Sequence, residues 1–328
     1  MRQSIIAILF SAIVATPGAA QLPAGALPES ARRVANDVPS ERVPVPEEHY
    51  PVSNEWRHDL FLGAIRDLGG AFVGVGTDQC YTLAAAQRAE VVWIVDYDAT
   101  VPLVHRLYGV LIAASPTPAE LVLRFQRENE AATRALLERE LASDPAGVEI
   151  VRFFRRNRGR FDQYLQHVAR LRQDGTPTSW LSDPELYARV RALFAEGRII
   201  ARSGDLTGPE TLRGVGSAAA RLRVPVRVLY LSNAEAFFPY TRRFQENVRA
   251  LPADDRSVVL RTFRHPRAVY PRGDTWHYLV QPISDLVARF ELGYRRARQI
   301  QVDAIRAGLS RTGGTVIGAS TPRQAQRP

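Results

Sequence analysis

The chain has 328 residues, 45% of them hydrophobic and 23% charged, and its net charge of +9 comes entirely from arginine, because no lysine occurs. That balance fits a soluble globular protein with a sizeable core and an attraction for anionic partners or surfaces. The missing lysine excludes Schiff-base, Walker A and kinase-type lysine chemistry, and the lone Cys80 excludes an intrachain disulfide and any zinc site built on several cysteines.

The amino terminus reads as a signal peptide over residues 1–20. Arg2 supplies the positive start, Ile5 to Ala15 is an apolar run of suitable length, and Gly18-Ala19-Ala20 offers small residues for cleavage before Gln21. A periplasmic or secreted location is therefore expected, with no transmembrane segment left after cleavage. Residues 21–51 are rich in proline, alanine and charge, the pattern of a linker or an arm laid on the surface.

An α/β domain is expected over residues 52–309. It opens with a helix from Asn54 to Leu68, capped by Asn54 and stopped by Gly69-Gly70. Next, Ala71 to Asp96 (AFVGVGTDQCYTLAAAQRAEVVWIVD) reads as an apolar strand, a glycine turn, a short helix and a second strand ending in a carboxylate. That is the order a nucleotide-type ligand needs: Gly74 and Gly76 let the backbone come close, and Asp96 arrives about 20 residues later, where ribose hydroxyls sit. Asp98 reads as the cap of the following helix, Val101 to Ala114, on whose apolar surface His105 reads as a core histidine.

Residues 116–197 are arginine-rich and helix-patterned, an insertion between the second and third strands that caps one end of the sheet. Within it, Phe153 to Phe161 (FFRRNRGRF) interleaves aromatics with arginines. No recognisable nucleic-acid motif accompanies them, so a solvated helix face is the expectation and nucleic acid is not an expected partner. Strands follow at Ile199 to Arg202, Val226 to Leu231, Ser257 to Phe263 and Trp276 to Val280, with helices between them. A second GVG at Gly214 to Gly216 falls inside one of those helices and reads as close packing. One long helix is expected from Ser284 to Leu309, and residues 310–328 read as a disordered tail.

This rhythm predicts a doubly wound, mostly parallel Rossmann-like sheet whose ligand binds at the carboxyl ends of the strands. Four polar stations fall there: Gly74 to Gln79, Asp96 to Asp98, Gly204-Asp205, and Ser232 to Glu235. Asp205 fits two roles equally, reaching an exocyclic amine or capping a turn. Asn233 and Glu235 are the candidates for chemistry or substrate contact, since an amide and a carboxylate end a fully apolar strand.

These residues resemble class I S-adenosylmethionine-dependent methyltransferases. They are more closely similar to an uncharacterised bacterial family described as methyltransferase-like, which carries a GVGxxQ turn, an acidic second strand end with a downstream HxxY helix, a GD step and an SNxE strand end. The matching residues are Gly74-Val75-Gly76 with Gln79, Asp96 with His105 and Tyr108, Gly204-Asp205, and Ser232-Asn233 with Glu235, within about Trp56 to Ala288. The resemblance implies a sheet of methyltransferase type, with S-adenosylmethionine or a related nucleoside as ligand and no metal. By that likeness Gly74, Gly76, Asp78, Gln79, Asp96 and Asp205 surround the cofactor, and Asn233 and Glu235 face the substrate. Two positions depart from the pattern: Phe72 replaces the usual acidic residue before the first glycine, and Asp78 replaces the third glycine. Both touch the region for the methionine half, and the charge of Asp78 disfavours a pyrophosphate. Export also separates the protein from the cytoplasmic supply of this cofactor, so a binding or interaction protein that keeps the fold without the cofactor is the alternative.

Overall fold

The computed structural model describes residues 22–44, 48–309 and 313–318, so the expected signal peptide lies outside the described residues. The arm carries a helix, α1 (Glu29–Asn36). The domain then runs α2 (Asp59–Ile65), β1 (Ala71–Gly74), α3 (Gln79–Gln87), β2 (Val91–Asp96) and α4 (Thr100–Ala113). The insertion follows as α5 (Pro118–Arg124), α6 (Glu130–Glu140), α7 (Gly147–Val168), a small hairpin of β3 (Arg172–Gln173) and β4 (Thr176–Pro177), and α8 (Pro184–Ala195). The sheet resumes with β5 (Ile199–Ser203), α9 (Thr211–Leu222), β6 (Val226–Ser232), α10 (Arg242–Arg249), β7 (Val258–Phe263), β8 (His277–Pro282), α11 (Ile283–Glu291), α12 (Ala297–Arg306) and β9 (Gly314–Val316).

Seven strands form one sheet in the order β5-β2-β1-β6-β7-β8-β9. The first five are mutually parallel, β8 runs antiparallel to β7, and β9 is parallel to β8. From β1 the chain winds outward through β2 to β5, then returns to build β6 and β7 on the other side. The winding reverses between β1 and β6, which places a crevice at the carboxyl ends of those two strands. This is an α/β fold with a mostly parallel sheet, compatible with a Rossmann-like architecture.

Both faces of the sheet are covered, which is why its strands read as unbroken apolar runs. Successive residues serve opposite layers. Phe72, Val92, Ile94 and Tyr230 pack under the insertion, whereas Ala71, Val73, Trp93 and Leu229 pack under α1 and α9 to α12. The arm is part of this second layer: Trp93 Nε1 donates to the Ala35 carbonyl at 2.9 Å, and Glu41 accepts from the Asp205 and Glu210 amides. The buried Arg198 guanidinium holds the Pro23 and Gly25 carbonyls.

Three expectations change. The helix expected from Asn54 begins only at Asp59, because residues 52–58 run as non-helical chain tied to the far strands: Trp56 N–H donates to Asp274 and Arg57 N–H to the Tyr278 hydroxyl. The single carboxyl-terminal helix is two, broken where Gly293 takes φ +82°. Part of the expected disordered tail is β9, which pairs with the otherwise open edge of β8; the remaining tail residues fall largely outside the described set. The Gly214/Gly216 pair does serve packing, since a Cβ there would meet Pro39 Cδ at 2.6 Å and the Ala250 carbonyl at 2.5 Å.

Candidate functional site

The glycine turn leaves β1 at the predicted place, and most of it is buried. Gly76 has φ +91°, a conformation that favours glycine, and its carbonyl accepts from His105 Nε2–H at 3.1 Å. A carbonyl can only accept, so His105 Nδ1 must accept the Tyr81 hydroxyl proton at 2.6 Å. Burial lowers the His105 pKa to about 4, which keeps the ring neutral as this bonding requires. His105 is therefore a satisfied core histidine that fixes the turn. Gln79 closes the turn from inside, its Oε1 accepting from Thr77 N–H at 2.9 Å. At Gly74 a Cβ would strike the Phe72 ring at 2.5 Å, so that glycine makes room for Phe72.

Asp78 points inward, away from the mouth of the crevice. It is wholly buried, and its Oδ2 accepts from Tyr164 O–H at 3.1 Å on α7 and from Trp180 Nε1–H at 3.0 Å. Desolvation outweighs these donors and raises its pKa to about 6. Nearby, the buried Tyr108 hydroxyl has no hydrogen-bond partner among the described residues.

Asp96 ends β2 at the predicted distance from the turn and is partly exposed. One carboxylate oxygen accepts from Gly76 N–H at 2.7 Å and the other from Asp98 N–H at 2.8 Å. Two backbone donors orient the group, yet each oxygen has a lone pair to spare. Burial, the largest influence, raises its pKa to about 6 against those two bonds. Asp98, expected to cap the next helix, lies one residue ahead of its N-cap, Ala99; it accepts from Thr100 N–H at 2.9 Å and also meets His49 Nδ1 at 2.9 Å. Asp205 takes the turn-capping role, accepting from both the amide and the hydroxyl of Thr207.

A second carboxylate centre escaped the sequence reading. Glu55, 3% exposed, reaches the carboxyl ends of β6 and β7 from the segment before α2. Its Oε1 accepts from Ser232 Oγ–H at 2.5 Å and Thr262 Oγ1–H at 2.6 Å; its Oε2 accepts from Tyr230 O–H at 2.7 Å and His58 Nε2–H at 3.2 Å. All four lone-pair positions are filled. Burial is the largest single influence and pushes its pKa up, but His58 and the hydroxyl donors together overcome it and hold Glu55 below the usual range, as a carboxylate. Local spacing held no trace of this centre, because its partners lie 175 to 207 residues away except for His58.

Asn233 and Glu235, expected together, face different surroundings. Asn233 is half-exposed beside Ser232, whereas Glu235 is buried on the opposite face of the sheet from the insertion. There its Oε2 lies 2.6 Å from Arg261 Nε, and its Oε1 accepts from Tyr240 O–H at 2.6 Å. Its carboxylate is committed to that ion pair. The interleaved aromatics of α7 are likewise committed: Phe153, Phe154 and Phe161 are buried, with Phe161 stacked on Phe125. The turn and the Asp96 strand end thus come together, Asp205 follows Gly204, whose N–H donates to the Asp96 carbonyl, with one carboxylate oxygen turned to Thr207, and Glu235 is remote in orientation.

No group of three or more histidine, cysteine or acidic side chains suited to a metal occurs among the described residues, and no helix there is long and apolar enough to cross a membrane. No protein of curated function matches the sequence. Residues 50–315 match the family described as Domain of unknown function (DUF7790), a span that takes in the turn, the insertion, both carboxylate centres and the sheet short of the last residue of β9, but not the arm; the chain belongs to this family.

Proposed function

We propose that the protein binds a small nucleoside-type ligand, with S-adenosylmethionine as the molecule the resemblance implies, at the mouth formed by Gly76 and Asp96. The observation that carries this reading is the Asp96 carboxylate. It is partly exposed at a strand end, fixed by two backbone N–H groups, and has one lone pair free on each oxygen for a pair of ribose hydroxyls. The left-handed backbone at Gly76 favours glycine, and a Cβ there would strike the Gln79 amide, so this residue fixes the turn that presents its N–H to Asp96.

The residues fit the nucleoside half of that cofactor better than its methionine half, because Asp78 is buried under Tyr164 and Trp180 and Phe72 fills the space beside Gly74. In a methyltransferase-type sheet, Asn233 is the half-exposed group left to meet an acceptor. The commitment of Glu235 to Arg261 favours the second reading, an exported binding protein that keeps the fold without the transfer reaction.

Isothermal titration of the full chain with S-adenosylmethionine, S-adenosylhomocysteine and adenosine tests the proposal. Saturable binding is expected, weakened at least about tenfold in Asp96→Ala, the equivalent of roughly 1.4 kcal/mol. Binding should also fade as pH falls through about 6, where Asp96 takes up a proton and loses acceptor capacity. No heat with any of the three ends the nucleoside reading. Export is tested separately, by whether the mature protein in the periplasmic fraction begins at Gln21.

A further inference from the structure

Ser232 stands at a position the backbone assigns to glycine. It ends β6 with φ +49°, in the left-handed region that side chains disfavour. What serine adds over glycine at such a position is its side chain. Here that is a hydroxyl donated to Glu55 Oε1 at 2.5 Å, with the amide oxygen of Asn233 3.5 Å from the same Oγ. Glu55, His58, Tyr230 and Thr262 are buried behind it, while Ser232 and Asn233 are half-exposed on the crevice side. Phe237, 81% exposed, stands on the same connection and offers an apolar surface beside the opening.

We propose that Ser232 is a nucleophile for acyl transfer, with Glu55 as its base and an ester with an apolar acyl group as the class of substrate. The Ser232 Oγ–carbon bond forms as the hydroxyl proton passes to Glu55 and the carbonyl electron pair moves onto oxygen. Asn233, whose amide oxygen lies nearest Ser232 Oγ, turns its amide over to bring its two N–H donors to that oxyanion. The carbon–oxygen bond to the alcohol then breaks and Glu55 returns the proton to the leaving alcohol. Water repeats the cycle on the acyl-serine, giving its proton to Glu55, which passes it back to Ser232 as the acid leaves. Thr262, Tyr230 and His58 hold the base in position. The activity is independent of nucleoside binding, so either can fail without the other.

The test is labelling of the full chain by an alkyl fluorophosphonate, in which an Oγ–phosphorus bond forms, fluoride leaves and the proton passes to Glu55. One adduct is expected, on the peptide carrying Ser232. It should be absent from Ser232→Gly, which keeps the backbone conformation and removes the hydroxyl, and should form about a hundredfold more slowly in Glu55→Gln. p-Nitrophenyl butyrate hydrolysis should fall in parallel in both variants. If Glu55→Gln does not fold, the wild-type labelling rate gives the same information: it should be flat between about pH 5 and 8, whereas a rise centred near 6.5 would assign the base to a histidine and overturn the role of Glu55. No adduct at Ser232 in wild-type protein that melts cooperatively would sink the proposal.

Discussion

Glu55 and Asp78 are equally hidden beneath the same layer of helices, yet their proton affinities move in opposite directions. Glu55 sits below its usual range and Asp78 rises to about 6. Burial acts on both in the same sense, so the difference lies in what faces each carboxylate. Four side-chain donors fill the lone pairs of Glu55, two to each oxygen. Asp78 has two side-chain donors, Trp180 and Tyr164, both on one oxygen; its other oxygen meets Thr77 Oγ1 at 3.4 Å, and its own backbone N–H adds a smaller contribution. Depth therefore does not set the character of a buried acid in this protein. The donors aimed at it do.

The sharpest way to break that contrast is Glu55→Ala. It strands two hydroxyls of the buried shell, Tyr230 and Thr262, along with His58, and should destabilise the fold by about 3–5 kcal/mol in urea unfolding at neutral pH. Glu55→Gln should cost less at pH 7, and its deficit should shrink further as acid protonates the wild-type carboxylate. The sign follows from the lowered pKa: stability from Glu55 is present above its unfolded value near 4.5 and is lost as pH falls through the folded one. A uniform deficit from pH 7 to 3 would mean that packing, not charge, accounts for the effect.

Asp78→Asn should behave in the opposite sense. With a folded pKa near 6 against an ordinary 3.8, the ionised side chain weakens the fold above about pH 6, and that penalty disappears as pH falls towards 4. The amide cannot ionise, so the variant should equal or exceed wild type by about 1–3 kcal/mol at pH 7 and lose that advantage near pH 4. Comparing variant with wild type at each pH is needed because His105, its pKa lowered to about 4, tilts the whole protein the other way. A variant less stable at pH 7 than at pH 4, relative to wild type, would show that the Tyr164 and Trp180 bonds outweigh the burial of charge.

The two carboxylates also differ in how far the sequence betrayed them. The β1 turn, the two strands and Asp96 were legible because apolar runs, glycines and a terminal acid follow one another within 26 residues, where local rules of turn and strand apply. Asp78 could be placed in the turn, but its inward aim depends on Tyr164 and Trp180, which arrive with the insertion. Glu55 was hidden by a misread period: Trp56, Leu60, Phe61 and Ile65 fit a helical face, so the segment was assigned to a helix with Glu55 on it. Long-range bonds to Asp274, Tyr278 and Ser232 override that local preference and hold residues 52–58 outside the helix. Glu235 failed for a related reason. A polar residue after an apolar strand can turn to either face, and its partner Arg261 lies inside a strand that reads as wholly buried, where composition gives little hint of an ion pair.

Asp98 supplies the reference for a carboxylate near water, and from it comes the smallest expected effect. Asp98 is buried, as Glu55 and Asp78 are, but its added partner His49 keeps 42% of its side chain exposed and belongs to the segment that precedes the domain proper. Thr100 N–H already donates to the Asp98 carboxylate from within the fold, so losing the imidazole leaves the acid with a donor and with solvent on one side. His49→Ala should therefore change unfolding free energy by less than about 1 kcal/mol, and added salt should erase most of the difference. A loss of 2 kcal/mol or more would mean that the 48–50 segment is clamped to the end of β2 as firmly as Glu55 is to β6 and β7. The entry to the Asp96 mouth would then be a built wall of the site, and His49 would belong with the residues that shape it.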